Sequence, residues 1–380
     1  MRKLKSLVLM LVAILSLSVL TGCSSNNESA DKAETRVVKT EKGDVEIPAN
    51  PKRIVDISGS SEELAILGYV PVATANVDSY DTENVPSYMK ETFKDTKVVG
   101  HSMMDTMDIE AIIEANPDLI IMAPRQEKMY DELKEIAPVV MLKDCSNDWE
   151  ANLKQVAALF DKEDEAQTWL DNYYAEAKKI GDEIKKAKGD ESYVVALASS
   201  GQFMIFSEGG MGTILKDDMG LKQPANMPEQ DSITLPTVSI EGLSEIDADN
   251  IIVIGMASDK QDLAKNSVFN EIRAVKDGNY VFLDASPFFS QAYNPMGRKL
   301  LLDDVITEVQ LQGNPSEMPE HIEVDVAGLE HGAQILAKDL VIPETLKSDL
   351  EPDTVVARIG SLKTSSIEVE DDNNDEETAE

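Results

Sequence analysis

The amino-acid sequence predicts an α/β protein of two similar lobes joined by one long helix, with a cleft between the lobes. Three observations lead to this fold class. Strand-like, helix-like and strand-like segments follow one another over 53–75, which is typical of α/β domains. The segment 108–121 returns at 239–252 with both glutamates, the aspartate and the Ile-Ile pair in register. Residues 162–188, between the two copies, have the composition and periodicity of a single helix.

The chain begins with an export signal. Three basic residues among the first five precede an apolar run from Leu7 to Leu20, which at about 14 residues is too short to span a bilayer. The run ends in Leu20-Thr21-Gly22-Cys23, the form of a bacterial lipobox, in which the cysteine is acylated and becomes the first mature residue. Cleavage at an ordinary small-residue site is the alternative. We predict lipid attachment at Cys23, which anchors the protein on the extracytoplasmic face of a bacterial cell membrane.

Composition restricts the classes of function. The 380 residues include 71 acidic and 35 basic ones, and the formal net charge of −36 repels nucleic acid phosphates. We therefore predict no nucleic acid partner. Three histidines and two cysteines offer no spacing for a four-ligand zinc site, and no function is assigned to Cys145. No nucleophile elbow accompanies His101, and no phosphate-binding glycine motif is present, so an enzyme is not predicted.

The first lobe follows a hairpin. Residues 36–47 alternate around Lys42-Gly43-Asp44, which indicates two antiparallel strands and a tight turn. A short apolar strand at 53–57, a helix at 62–67 and a second strand at 70–75 come next. This order begins an α/β domain.

The long helix presents one apolar face. Its length of about 38 Å lets it reach both lobes. A coiled-coil partner is the alternative, but the run is too short for several heptads. The apolar residues recur at three- and four-residue steps: Ala166, Trp169, Leu170, Tyr173, Tyr174, Ala177, Ile180 and Ile184.

The second lobe runs from a strand at 193–197 through a strand at 280–283 to an amphipathic helix at 295–311. The end of the chain, from Thr364, has eight acidic residues and no basic one, which is typical of a disordered tail. The predicted boundaries are a signal peptide at 1–22, a tether at 23–35, an N-terminal lobe at 36–160, a linking helix at 161–190, a C-terminal lobe at 191–311, an extension without a predicted structure at 312–363 and the acidic tail at 364–380.

Loops at the carboxyl ends of the predicted strands form the candidate ligand site, because open α/β sheets bind ligands there. Taken singly, their glycines and serines are explained as turns and helix caps. Taken together, the loops would line one cleft. The candidate ligand-binding residues are Ser60, Met103, Met104, Arg125, Gln126, Gln202, Met211, Met256, Phe288, Phe289 and Tyr293.

Arg125 is the leading candidate. It follows a buried-type strand in a chain poor in basic groups, and a guanidinium recognises planar pairs of oxygens. The alternative is a surface arginine that pairs with Glu127 or Asp131. The four methionines of the set are predicted to face the cleft as soft, adaptable contacts, with plain packing as the alternative.

A family resemblance is carried by Val45 to Val55, Leu67 to Val72, Asn116 to Ile121, Arg125-Gln126 with Tyr130, and Ile136-Ala137-Pro138. Over roughly residues 36–311, the chain resembles the class III substrate-binding lipoproteins of bacterial ABC importers, the group for iron-siderophore, haem and cobalamin. The resemblance implies two Rossmann-like lobes with one linking helix, and a monomer without a resident cofactor, since iron is bound only as its chelate. It also implies a partner, an ABC permease dimer with its ATPases.

The resemblance further implies that one exposed glutamate per lobe docks on arginines of the permease. The matching positions are Glu110 and Glu241, which the internal repeat places in register. The alternative is a solvated helix face that also carries Glu114 and Glu245.

For the ligand, the resemblance favours a ferric siderophore of the hydroxamate type. Relatives that take anionic chelates place arginines on several cleft loops, whereas here Arg125 stands with Met211 and Met256 at the corresponding positions. Haem is the alternative, because haem-binding relatives carry a methionine ligand in the loop that matches 100–104. Their histidine ligand falls near Gly209, where this chain has none. An alternative of a different class is a surface adhesion or scaffold lipoprotein that uses residues 312–380.

Overall fold

The computed structural model describes residues 34–145, 148–309, 311–312, 334–340, 347–348 and 355–358. The predicted signal peptide, Cys23 with nearly all of the tether, and the acidic tail lie outside these residues. Among the described residues, no helix combines the length and apolar character that crossing a membrane requires.

The predicted hairpin is present as β1 (Thr35–Thr40) and β2 (Gly43–Pro48). The strands pair antiparallel around a turn in which Gly43 has a φ of +99°, a backbone conformation that glycine adopts at little cost. Val38 and Ile47 bury their side chains in the core of the N-terminal lobe. The hairpin therefore packs on this lobe.

The N-terminal lobe is built on a five-stranded parallel sheet of order β5-β4-β3-β6-β7. Its strands are β3 (Ile54–Asp56), β4 (Ala73–Thr74), β5 (Lys97–Val98), β6 (Leu119–Met122) and β7 (Val139–Met141). Its helices are α1 (Ser61–Ile66), α2 (Ile109–Glu114), α3 (Tyr130–Leu133) and α4 (Trp149–Ala158), with 3-10 turns at Ser87–Met89 and Pro124–Met129. The strand predicted at 70–75 is shorter than expected, since Pro71 has no N–H to donate to a ladder.

Helix α5 (Glu163–Lys188) follows the N-terminal lobe and has 26 residues, or about 39 Å. Ala166 and Leu170 lie in the core of the N-terminal lobe, whereas Tyr173 and Ala177 lie in the core of the C-terminal lobe. At Gly181 the helix touches backbone, because a Cβ there would lie 1.9 Å from the carbonyl oxygen of Met219. One helix thus contacts both lobes.

The C-terminal lobe has a five-stranded sheet of order β10-β9-β8-β11-β12. Its strands are β8 (Tyr193–Ser199), β9 (Gln202–Ile205), β10 (Thr237–Val238), β11 (Asn250–Gly255) and β12 (Tyr280–Asp284). Strands β8, β11 and β12 are parallel, whereas β9 runs antiparallel to β8, and β10 antiparallel to β9. Its helices are α6 (Gly210–Thr213), a π-helical turn (Ile214–Asp218), α7 (Ile240–Ile246), α8 (Ala257–Lys265), α9 (Ser267–Asn270), α10 (Arg273–Lys276), α11 (Ala285–Gln291) and α12 (Pro295–Val309).

The internal repeat corresponds to one structural unit in each lobe. Asp108 caps α2 by accepting from the Ala111 N–H at 2.9 Å, and Ser239 caps α7 by accepting from the Gly242 N–H at 3.2 Å. The strands that follow, β6 and β11, both occupy the fourth position of a five-stranded sheet. The sequence repeat therefore marks a repeated fold.

The helix predicted at 295–311 ends earlier than expected. Leu311–Gln312 instead forms β13, which pairs antiparallel with β15 (Lys347–Ser348). A second antiparallel pair joins β14 (Gln334–Leu336) and β16 (Val355–Arg358). The prediction is wrong at this boundary because Leu311, the last residue of the predicted helix, pairs with Ser348 of the extension.

Candidate functional site

Loops at the carboxyl ends of strands in the two sheets contact each other. Asp78 follows β4 and Ser286 follows β12, and the Ser286 hydroxyl donates to Asp78 Oδ2 at 2.7 Å. Next to this contact, the Ser79 N–H donates to the Ser290 hydroxyl at 3.2 Å. Loops from opposite lobes therefore meet on one side of the cleft.

An aromatic contact extends the same junction. The ring of Tyr80 meets the ring of Phe289 edge-on, with centroids 5.9 Å apart. Phe289 in turn packs on Tyr293 at 5.5 Å and on Phe206 at 6.3 Å. The half-buried side chains of Phe288, Phe289 and Tyr293 form what we call the aromatic wall.

Arg125 is exposed in the turn that follows β6. The two carboxylates that could have paired with it are occupied elsewhere, since Glu127 pairs with Lys42 and Asp131 pairs with Lys134 at 2.6 Å. No residue of the described part of the chain forms an ion pair with Arg125. Its guanidinium is therefore available to a ligand.

Gln126 was predicted to contact the ligand, and the structure corrects this. Its side chain is fully buried, and its amide donates to the carbonyls of Ser102 and Met104, both at 2.8 Å. Its oxygen accepts from the Ala123 N–H at 3.1 Å. The two bonds to carbonyls hold the loop after β5 against the turn after β6, and the bond from Ala123 closes that turn. Gln126 therefore lies beneath the candidate site and supports its loops.

Ser60 requires the same correction. The residue is 1% exposed, and its hydroxyl bonds the Ser58 hydroxyl at 2.9 Å and the Asn152 amide at 3.1 Å. A hydroxyl with these partners is a structural link between the loop after β3 and helix α4.

The methionines divide into two groups. Met103, Met104 and Met256 are 58%, 55% and 48% exposed, whereas Met211 is fully buried in the C-terminal core. Met211 was predicted to face the ligand, and the structure corrects this, because its side chain packs among the buried residues of the C-terminal core, beside Phe206 and Ile214. Gln202 begins β9 at the edge shared with the ends of β8 and β11, and it is exposed.

Glu110 and Glu241 occupy equivalent positions. Each is the second residue of its capped helix, α2 or α7, and each is exposed. The Glu241 backbone N–H and the Ser239 hydroxyl lower the pKa of Glu241, so this carboxylate is charged at neutral pH. Of the flanking glutamates, Glu114 pairs with Lys97 at 2.7 Å.

Sequence reasoning missed two buried carboxylates behind the cleft. Glu62 accepts from the Tyr88 hydroxyl at 2.6 Å and from the Gly297 N–H of α12 at 3.0 Å, and its burial raises its pKa to about 7. Burial and the neighbouring Glu62 raise the pKa of Glu63 to about 8. Acidic residues in a first helical turn are ordinarily solvated, so the sequence carries no signal of this burial.

Glu63 makes stability depend on pH. One of its oxygens accepts from the Asn152 amide at 2.7 Å, while the other is buried without a partner among the described residues. Its pKa is raised from about 4.5 in the unfolded chain, so the folded state holds the extra proton between about pH 4.5 and pH 8. The contribution of protonated Glu63 to the free energy of unfolding is therefore fully present below pH 4.5, and it is lost as the pH rises through about 8.

We expect Glu63→Gln to raise the free energy of unfolding at pH 8.5 by about 3–5 kcal/mol, because the amide carries no charge to bury. At pH 4.5 the variant and the wild type should agree within about 1 kcal/mol. Urea unfolding at both pH values measures this, with the exposed Glu245→Gln as the control. Equal effects of Glu63→Gln at the two pH values would contradict the assignment.

Comparison with known proteins identifies the family to which the chain is similar. Residues 54–287 match the periplasmic binding protein family. The chain is 30% identical to the probable siderophore-binding lipoprotein YfiY of Bacillus subtilis, over 80% of this chain and 98% of the relative. It is 29% identical to the iron(3+)-hydroxamate-binding protein FhuD of Bacillus subtilis, over 73% of this chain and 90% of the relative.

A solved structure shows the same fold. It is an FhuD fold-family periplasmic binding protein of Bacillus subtilis, a component of a Fep/Fec-like ferrichrome ABC transporter, with a TM-score of 0.59 and 25% identity over 70% of this chain and 97% of that one. Residues 292–363 separately match the C-terminal domain of ribosomal protein TL5. Since the first match spans most of both lobes, the chain belongs to the periplasmic binding protein family.

Proposed function

We propose that this protein is the lipid-anchored substrate-binding component of a bacterial ABC importer. It captures a ferric siderophore outside the membrane and delivers it to the permease, without catalysing a reaction. Family membership and the cleft between two similar lobes support this role. Iron is cargo here, bound through the chemical groups of its chelate.

The exposed guanidinium of Arg125, which forms no ion pair with the described residues, supports a ferric hydroxamate as the ligand. It stands at the edge of the cleft with the exposed Met103 and Met104 on the neighbouring loop. One guanidinium can donate to the oxygens of a neutral or cationic ferric hydroxamate, while the net charge of −36 disfavours a strongly anionic chelate. The hydroxamate specificity named for the FhuD relative supports the same choice.

An uptake assay tests the function. A strain that lacks this protein should lose import of radioactive iron supplied as a ferric trihydroxamate, and the wild-type gene should restore it. Undiminished import would contradict the proposal. An unchanged import rate together with lost surface adhesion would favour the adhesion or scaffold role instead.

Transfer to the permease is assigned to Glu110 and Glu241. Both are exposed at the second position of their helices, which the internal repeat relates to each other. Two equivalent carboxylates, one per lobe, suit a permease dimer that presents arginines at two equivalent positions.

The anchor is assigned to Cys23. Because two or three acyl chains hold a protein on a membrane stably, Cys23→Ser should release the protein into the medium or leave its precursor unprocessed. Cell fractionation with an antibody against the lobes measures this. Retention in the membrane fraction after a salt wash would show that Cys23 is not the anchor.

A further inference from the structure

Arg298 is a buried cation in a protein that has few cations. It lies on α12 and is 2% exposed. Its Nη2 donates to Asp218 Oδ2 at 2.5 Å, and the Tyr173 hydroxyl of α5 donates to the same oxygen. Since a buried ion pair is a weak source of stability, the pair alone does not account for an arginine at this position.

The other hydrogen bonds of the guanidinium reach the base of the aromatic wall. Nη1 donates to the Ala292 carbonyl at 2.9 Å, and Ala292 directly precedes Tyr293. Nη1 and Nη2 also approach the Thr213 hydroxyl, at 3.2 and 3.3 Å. Thr213 is the last residue of α6.

Helix α6 is the surface on which Tyr293 rests. A Cβ on Gly210 would lie 3.2 Å from the Tyr293 ring and 2.7 Å from the Phe206 ring, and Gly210 has a φ of +49°. The ring of Tyr293 therefore packs directly on this backbone. Arg298 holds Tyr293 from two sides, through the peptide before it and through the helix beneath its ring.

The same guanidinium contacts the other lobe. Its Cζ lies 5.0 Å from the centroid of the Trp149 ring, which belongs to α4. Helix α4 also carries Asn152, whose amide bonds Ser60 and Glu63 behind the first lobe's side of the cleft. Arg298 thus lies where the aromatic wall, the linking helix and the first lobe meet.

We propose that Arg298 is a positioning residue for ligand capture, which fixes the aromatic wall and its orientation toward the first lobe from behind the cleft. The proposal rests on the proposed function, because the aromatic wall is taken as one side of the ligand site. The spacing of the sequence indicates that Arg298 is buried. It precedes the buried Leu301 and Leu302 by three and four residues, and so lies on the same face of the helix.

The test removes both buried charges together, as Arg298→Met with Asp218→Asn, because removing Arg298 alone leaves an unpaired buried carboxylate. Hydrogen exchange of the ligand-free mature chain is followed by mass spectrometry. We expect exchange at 285–293 and 210–213 to rise at least tenfold, with wild-type rates in the rest of the lobe. Phe269→Leu, on the opposite face of the sheet, is the control and should leave both segments protected.

Thr213→Val covers the case in which the double variant does not fold. It removes the hydroxyl that accepts from Arg298 and donates to the Gly210 carbonyl at 2.8 Å, so exchange at 285–293, which that second bond does not reach, decides the test for this variant. It should raise exchange in the same two segments by a smaller factor. Unchanged exchange in both segments, or an increase spread evenly over the lobe, would overturn the proposal.

Ligand kinetics provide the second measurement. Dissociation of a ferric trihydroxamate should be at least tenfold faster in the double variant, with little change in the association rate, and Phe269→Leu should keep the wild-type rate. An unchanged dissociation rate would also overturn the proposal. If the wild type binds no ferric chelate, the proposed function fails, while the exchange data still decide whether Arg298 positions the aromatic wall.

Discussion

Removing both docking glutamates, by Glu110→Ala with Glu241→Ala, should abolish uptake of a ferric hydroxamate and leave its affinity for the purified protein unchanged. Each carboxylate is exposed on the first turn of its helix, and neither is among the candidate ligand-binding residues, so we expect their removal to leave ligand contacts intact. A hydrogen bond between charged groups contributes about 1.5–3 kcal/mol, so losing one on each lobe should weaken docking by roughly two to four orders of magnitude. Iron uptake by cells and ligand titration of the purified protein measure the two halves of the prediction.

The chain supplies a matched control in Glu114→Ala with Glu245→Ala. These glutamates lie on the same two helices, are also exposed and remove the same charge. The control should import at the wild-type rate. Wild-type uptake by the Glu110 and Glu241 variant, or equal loss in both double variants, would show that docking does not depend on these two residues.

Arg125→Ala should weaken binding of a ferric hydroxamate roughly ten- to hundredfold. The guanidinium has no partner among the described residues, so its removal leaves chelate oxygens without a charged donor while breaking no ion pair of the protein. One such hydrogen bond contributes about 1.5–3 kcal/mol. Lys128→Ala is the control, because this exposed lysine lies three residues away and pairs with Asp105 at 2.9 Å.

Met103→Ala and Met104→Ala separate the two candidate ligands. With a hydroxamate, both should have small effects, because an exposed thioether contributes only a partial packing contact. With haem, one of these changes should shift the Soret band and collapse affinity, and Arg125→Ala should have a modest effect. If none of Arg125→Ala, Met103→Ala and Met104→Ala alters the affinity for any iron chelate, both the hydroxamate site and the haem site assigned to these residues are wrong.

The fold was predictable because its signals are periodic and long. The repeat of 108–121 at 239–252 predicted two lobes of similar fold. The apolar face of 162–188 predicted the helix that contacts both cores. Boundaries were less predictable, since they depend on pairing partners far along the chain. Leu311 illustrates this, because its strand partner is Ser348.

The site was predictable only in part, because the sequence does not show which way a side chain points. Arg125 and the exposed methionines follow β6, β5 and β11, at the strand ends from which the site was predicted, and their contact with a ligand stays a prediction. Gln126 and Ser60 lie beneath the loops, since nearby carbonyls and amides satisfy their polar groups. Met211 is buried because the glycine-rich segment that carries it folds into α6 against the C-terminal core and does not form an open loop.

The most direct test of the central claim is a fluorescence titration of the purified mature chain with a panel of ferric chelates. The two tryptophans, Trp149 and Trp169, pack against each other where α4 meets α5, so a ligand that changes how the lobes meet should alter their emission. We expect saturable, one-to-one binding of a ferric trihydroxamate, with weaker binding of the iron-free hydroxamate, ferric citrate and haemin. Binding of no ferric siderophore, or tighter binding of haemin than of every hydroxamate, would contradict the central claim.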